Sequence, residues 1–371
     1  MLNATAPAAT MRALVSFTGL GKLNSPDIAS AYAPIVDLTS RILALGAEGP
    51  IPLRAMTLRL VVDRSAWIAH IDAVSRDLSG VVPVVKGNGY GFGRQTLIGE
   101  AARFAKEVAV GTVYELGDVP SSMTPIVLTP VDNGFDGSLR PDAIYTVGAV
   151  HHVVTLRRLG HGGRVLLKLR SRMQRYGASP DSLDELRASC VDAGLTIHGW
   201  SIHPPLMSAT SDHIQDVVSW ANDLDDDFPI YVSHVGKNEL DELRGRFTRH
   251  EFRARSGTAL WLGDKSMLKL EANVVDVHAT RGGLAGYRLV PVPGEGSIVL
   301  VGCGTAHGIV ERPDGLSPFH FRRSRLHLVE SPHMHTSMVF VPSADAVPAV
   351  GDWVDVQQSM TRALVDTVSW T

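Results

Sequence analysis

The residues best placed to do chemistry lie in VVPVVKGNGYGFG, residues 81–93. The valine-rich run from Val81 to Val85, broken early by Pro83, reads as a short buried strand of a parallel sheet. Lys86 sits at its C-terminal end. Gly87, Gly89, Gly91 and Gly93 follow, a density that suits a loop whose backbone approaches a ligand closely. A desolvated lysine has a lowered pKa, and its free amine forms a Schiff base with an aldehyde. The plainer reading is a strand-end lysine with its stem buried and its head in water, followed by an ordinary turn.

Such a lysine needs a sheet to hold it. Apolar strand candidates recur near 59–62, 81–85, 108–113, 125–129, 143–147, 164–169, 196–202, 230–234 and 252–255, with helical patterns over 96–107, 179–193, 211–224 and 238–247 between them. Pro180 stands at a favourable first-turn position. Repeated βα units of this length predict a parallel (β/α)8 TIM-like barrel with chemistry at the strand C-termini, and a doubly wound open sheet is the alternative. Beyond about residue 266 strand-like runs at 273–279, 297–302, 325–330, 336–341 and 352–357 are separated by Gly/Pro turns, which reads as a smaller all-β C-terminal domain. Residues 1–55 stand apart as an Ala/Thr/Pro-rich extension with one helix from Ile28 to Ala47, or as the product of a misplaced start. The organisation expected is therefore 1–55 extension, 56–265 barrel and 266–371 β domain.

With 371 residues, 44% hydrophobic and 20% charged, the chain can bury a large core. A net charge of −3 gives no electrostatic case for nucleic acid or an anionic membrane surface. No apolar run reaches the roughly 20 residues of a membrane span. Cys190 and Cys303 are too few for a disulfide framework and sit in no metal-ligand spacing, so no metal is expected and a reducing cytoplasm is the natural compartment.

The order VVK-x-N-x-YG-x-G resembles the pyridoxal 5'-phosphate (PLP) lysine motif of alanine racemases. The resemblance starts near Met56, where TLRLVVDRSAWIAHIDAV looks like the first strand and helix of the racemase barrel, and it runs to about residue 360. It implies that Lys86 carries the cofactor and that Tyr90 contacts its phosphate. In VLLKLRSRMQRYG, residues 165–177, the family's cofactor- and carboxylate-orienting arginine falls on Arg175, and Lys168 matches a lysine that some members carry as a carbamate. Arg170, Ser171 and Arg172 depart from the family's Asp-Thr-Gly. The extra cations either select an acidic or phosphorylated substrate or are solvated loop charges. His203 matches the histidine packed against the cofactor ring, and Ser233 or Asn238 is a phosphate donor in a looser match. FRARSGTALWLG, residues 252–263, implies Arg255 against the pyridine nitrogen and the backbone of Gly257 and Thr258 at the phosphate. A guanidinium can only donate, so the ring nitrogen stays unprotonated and the ring is a weaker electron sink, which suits proton removal and return at Cα. The alternative for Arg255 is a structural ion pair with Glu271 or Asp264.

In the β domain, GGLAGYRL implies Tyr287 as the second base, reaching into the partner's site across a homodimer interface. A phenol is a weak acid and needs a nearby cation to act as a base near neutral pH. GCGTAHG resembles the family's Gly-Tyr-Ala-Asp-Gly turn, and PHMHTSMVFV implies that the Met334 backbone amide meets the substrate carboxylate, with His335 in place of an aspartate. The chain stops about where the family supplies a further helix and a late phosphate-binding tyrosine, so the β domain is expected to be truncated. Two function classes follow: a PLP-dependent amino-acid racemase, alanine by default, using Lys86 and Tyr287 on opposite faces of Cα; or a non-catalytic or repurposed PLP-binding protein. A fold-related decarboxylase fits less well, because neither its glycine-triplet loop nor its Cys-x-x-x-Asp segment is present.

Overall fold

The computed structural model describes residues 57–206 and 214–371. The expected segment 1–55, the helix from Ile28 to Ala47 and the first residues of the helix expected over 211–224 lie outside the described residues. The chain begins with β1 (Leu58–Val62) and α1 (Arg64–Asp77). Asp63 caps α1 by accepting from the Ala66 amide.

Eight strands then form one parallel sheet: β2 (Val82–Pro83), β3 (Glu107–Val110), β4 (Thr124–Val127), β5 (Ile144–Val147), β6 (Arg164–Lys168), β7 (Thr196–Ile202), β8 (Ile230–Ser233) and β9 (Phe252–Ser256). β2 pairs with β9, and the opposite edge, β3, returns to β2 through the Val84–Ala109 bridge, where the Val85 amide donates to Ala109 at 2.7 Å. The sheet closes, so the fold is the barrel and not the open sheet. Val82, Val84, Ala109, Ile126, Ile144, Leu166 and Tyr231 fill its interior. Lower down, Glu107 meets Arg253 and lies 3.5 Å from His198, while the Tyr231 hydroxyl accepts from Arg253.

The helices are α2 (Arg94–Ala101), α3 (Val150–Arg158), α4 (Pro180–Asp192), α5 (Gln215–Asp223), α6 (Lys237–Arg246) and α7 (Thr258–Leu262). α4 opens on Pro180, with Ser179 and Ser182 capping it reciprocally. The helix expected over 96–107 stops at Ala101, because Glu107 is needed as the first residue of β3 to meet Arg253. Among the described residues no helix is long and apolar enough to cross a membrane.

One expectation fails. β1 is not a barrel strand: it pairs antiparallel with the long strand β10 (Leu268–Ala285), Leu58 opposite Ala272, and parallel with the last strand. Its burial explains this. Leu58, Leu60 and Val62 are buried while Arg59 and Val61 are half-buried, the alternation of a sheet with one wet face, whereas all four residues of β5 are buried. β10 and β11 (Val290–Val301) form a hairpin at the centre of a nine-stranded sheet completed by β1, β12 (Phe319–Phe321), β13 (Ser324–Arg325), β14 (His327–Leu328), β15 (Ser337–Pro342), β16 (Trp353–Val356) and β17 (Thr367–Trp370). Residues 359–371 return to the barrel. The Asn88 side chain donates to the Met360 and Ala363 carbonyls, and Asp366 accepts from the Thr57 and Leu58 amides beside β17.

An aromatic cluster fastens the lysine strand to the rest. Trp67 of α1 stacks on Phe92 of the glycine loop at 4.8 Å and packs against Trp261 of α7 and Trp370 of β17. Trp67 Nε1 donates to the Trp261 carbonyl, and Trp261 Nε1 donates to the carbonyl of Val84, two residues before Lys86. Trp67→Ala should cost about 3–5 kcal/mol of stability, read from denaturant unfolding; a loss below about 1 kcal/mol would show that the cluster is not the fastening.

Candidate active site

Lys86 extends from the C-terminal end of the β2 segment into the barrel mouth. Its head is exposed, yet withdrawal from bulk water and the charges of Arg175 and Arg255 hold its pKa below the usual lysine value, with Glu115 opposing them. The loop after it curls through left-handed backbone at Gly87, Gly89, Tyr90, Gly91 and Gly93. Glycine is required most plainly at Gly89, whose backbone is left-handed and where a Cβ would lie 2.5 Å from the Arg94 backbone nitrogen. Glu115 braces the loop: one carboxylate oxygen accepts from the Gly87 amide at 3.0 Å and the other from the Gly111 amide at 2.7 Å. Arg94 holds it from outside through the Gly87 carbonyl and Asp118.

Across the mouth, inward-facing positions of β6 and β9 carry Lys168 and Arg255, which are only 4% and 5% exposed. Arg255 donates Nη2 to the Ile202 carbonyl at 2.7 Å, while its buried Nε has no partner. Burial lowers its pKa to about 10. Lys168 is pushed well below the usual lysine value by burial and then by Arg255 and Arg175. Its expected neighbour Arg175 is exposed and stacks over Tyr176 at 4.9 Å. His203, on the loop after β7, lies 4.3 Å from the His234 ring, and burial followed by Arg255 drives its pKa down to about 2, so it stays neutral at any working pH. The alternative pairing of Arg255 with Glu271 or Asp264 does not form: Glu271 binds Arg59 and Lys269, and Asp264 caps Ser266.

The phosphate end was expected at Tyr90, Gly257 and Thr258, and the structure brings these together. Tyr90 is buried, its pKa raised to about 12 by burial and then by Glu115. A Cβ on Gly257 would fall 2.0 Å from the Tyr90 hydroxyl, so the absence of a side chain lets that hydroxyl pack against the backbone at the cap of α7, whose first residue is Thr258. Ser233 is buried at the end of β8. Asn238 is exposed on the first turn of α6, its side chain has no hydrogen-bond partner among the described residues, and it is not drawn into the cluster. Of the extra cations, Arg172 is paired with Asp216 and Arg170 donates to the Gly177 carbonyl, which supports solvated loop charges over an acidic-substrate pocket.

Tyr287 and Met334 contact none of these groups. Tyr287 stands 85% exposed in the β10–β11 turn and Met334 65% exposed before β15, but His333 joins them, its ring 4.4 Å from that of Tyr287. Both residues expected to serve a partner's site therefore lie on one face of the β domain. Sequence reading missed Glu115, His333 and Glu330. Each acts through backbone amides or a neighbouring ring, and no residue spacing signals that.

Glu115→Gln would turn an amide NH2 toward a backbone N–H and should cost about 1–3 kcal/mol while speeding amide exchange at Gly87; unchanged exchange would show that the loop does not depend on the carboxylate. His203 and His152, the latter lowered to about 4 by burial, resist protonation in the folded chain but take up protons when unfolded below about pH 6.5. Stability should be whole above about pH 6.5 and fall as the pH drops toward about 4. Melting temperatures near neutrality and near pH 5 should show the loss, and His203→Gln should reduce it; no reduction would mean that other groups carry the acid sensitivity.

Residues 62–260, more than half of the chain, match the family model described as "Alanine racemase, N-terminal domain". No curated protein matches by sequence. Among solved structures, the chain resembles alanine racemase from Clostridium difficile 630 (TM-score 0.67, 16% identity, 87% of this chain and 97% of that one). It also resembles the Bartonella henselae racemase with covalently bound pyridoxal phosphate (0.63, 16%, 85% and 99%). A third likeness is to the Bacillus anthracis racemase with bound L-Ala-P (0.63, 20%, 83% and 86%). The closed parallel barrel with its lysine strand, the β domain that follows, and the family match together place this chain in the alanine racemase family.

Proposed function

We propose that the protein is a PLP-dependent amino-acid racemase that interconverts L- and D-alanine, working as a homodimer in a reducing cytoplasm. The observation that carries this reading is the unpartnered, buried Nε of Arg255 in a mouth shared with Lys86, Lys168 and Arg175. Buried charges without partners are costly, and this set calls for an anion and for an acceptor facing Arg255. The Tyr90 hydroxyl and the backbone of Gly257 and Thr258 would hold the phosphate of PLP, and Arg255 would donate to its ring nitrogen. When bound, PLP withdraws electrons from the substrate Cα and so acidifies its proton.

The remaining work falls to this chain's own side chains. Lys86, held below the usual lysine pKa, anchors the cofactor and moves a proton through Nζ on one face of Cα. Arg255 remains protonated near neutral pH and only donates, so it would leave the ring nitrogen unprotonated and favour the return of the proton to Cα. Tyr287 of the partner subunit moves a proton through its hydroxyl on the other face. The Arg175 guanidinium and the Met334 amide of the partner subunit orient the substrate carboxylate.

Full-length protein supplied with PLP and L-alanine should form D-alanine, followed by chiral chromatography. Lys86→Ala should lose both the visible cofactor band and turnover. Tyr287→Phe should keep the band and lose roughly 10²–10⁴-fold in kcat. A wild-type band without turnover on any amino acid would favour the repurposed cofactor binder. An unchanged Tyr287→Phe rate would mean that another group is the second base.

A further inference from the structure

Tyr287 is an unusual residue to find exposed and yet held. A tyrosine at a hairpin tip, beside the left-handed Leu289 backbone, ordinarily samples several rotamers. Here a carboxylate is withdrawn from water to hold its surroundings. Glu330, with a side chain only 7% exposed, accepts from the Tyr287 amide through Oε1 at 2.7 Å and from the Arg288 amide through Oε2 at 3.2 Å. Gly286 permits this approach: its backbone is left-handed, and a Cβ there would fall 2.1 Å from Glu330 Oε1. The same oxygen lies 2.6 Å from His333 Nε2. The imidazole, fixed by that bond, lies against the phenol ring with centroids 4.4 Å apart and planes inclined at 41°. His333 is fixed from the other side as well, because its carbonyl accepts from the Thr305 amide and its amide donates to the Thr336 carbonyl. The Met334 carbonyl, one residue on, accepts from the Ala306 amide.

Every hydrogen-bond partner of the Glu330 carboxylate thus belongs either to the hairpin tip or to the histidine beneath the tyrosine. Burial works against its ionisation, but the bonds from His333, Tyr287 and Arg288 outweigh that and hold the carboxyl below its usual range, so the charge persists at neutral pH. A half-buried carboxylate used in this way fixes geometry, since its two oxygens bind three donors at set positions, which an aliphatic side chain could not do.

We propose that Glu330 and His333 form a bracket that sets the Tyr287 hydroxyl for proton transfer in the partner's barrel, with Glu330 fixing the backbone of the tip and His333 fixing the plane of the ring. Both are positioning residues. They touch neither substrate nor cofactor and act only through Tyr287. The bracket also ties Tyr287 to the segment carrying Met334, so the two groups offered to the partner's site move as one unit. The inference rests on the proposal that Tyr287 is the second base.

The test pairs a direct reading of the ring with a kinetic one. In protein labelled with 3-fluorotyrosine, the Tyr287 resonance, assigned by its absence in Tyr287→Phe, should be shifted by the His333 ring in the wild type. It should move toward the free-amino-acid position in Glu330→Gln. This reading needs neither cofactor nor turnover. In the PLP-loaded dimer, Glu330→Gln and His333→Phe should keep the cofactor band and the KM for alanine while kcat falls at least about tenfold. The Cα-deuterium isotope effect should rise only for the enantiomer whose proton faces Tyr287. His333→Phe retains a stacking ring, which guards against simple loss of folding. If the resonance and kcat are unchanged in Glu330→Gln while Tyr287→Phe is inactive, the bracket is wrong and the second base stands. If Tyr287→Phe turns over at the wild-type rate, the underlying reading falls and the catalytic role of the bracket falls with it.

Discussion

Two buried cations at the barrel mouth, with two more at its rim, govern this molecule. Lys168 and Arg255 are carried inward by β6 and β9, Lys86 and Arg175 approach from the rim, and after burial itself the charges of Arg175 and Arg255 lower the tendency of both lysines to hold a proton. Glu115, the acid that acts on Lys86, is already engaged by two backbone amides. Concentrating like charge in a low-dielectric interior is unfavourable, and folding tolerates it only because the closed strand ladder and the apolar clusters around it supply a large surplus. What the arrangement gains is a site whose lysine is more readily deprotonated and whose remaining donors await an anion.

Most of the structure near the mouth serves to hold that site still. The glycine loop has no regular hydrogen-bonded framework of its own, so it is fixed from four sides: Glu115 beneath Gly87, Arg94 outside, the returning C-terminal segment through Asn88 and Met360, and Trp67 against Phe92. Trp261 links α7, which follows Gly257, to the carbonyl of Val84 on the lysine strand. Lys86 and the start of α7 are therefore parts of one packed unit.

The barrel was legible because its strands are continuous apolar runs separated by helical patterns, and Lys86, Tyr90, Arg255 and Gly257 announced themselves by type and order along the chain. Other features were hidden for physical reasons. β1 looked like a barrel strand because Leu58, Leu60 and Val62 are as apolar as any, and only the wetness of Arg59 on the opposite face shows that it belongs to the one-sided sheet. The return of residues 359–371 to the glycine loop depends on the Met360 and Ala363 carbonyls accepting from Asn88, and backbone groups leave no mark on a sequence. Glu115 and Glu330 were unreadable for the same reason: their partners are amides. Asn238, chosen because a helix begins beside it, is solvent-exposed, with the first turn of that helix already capped by Glu239.

The central claim is that this cationic mouth exists to hold PLP on Lys86. Its most direct test is borohydride reduction of the PLP-loaded protein followed by peptide mapping with mass spectrometry. The reduced pyridoxyl group should be found on the peptide containing Lys86 and on no other lysine. Labelling of Lys168 instead, or no stable adduct at all, would contradict it.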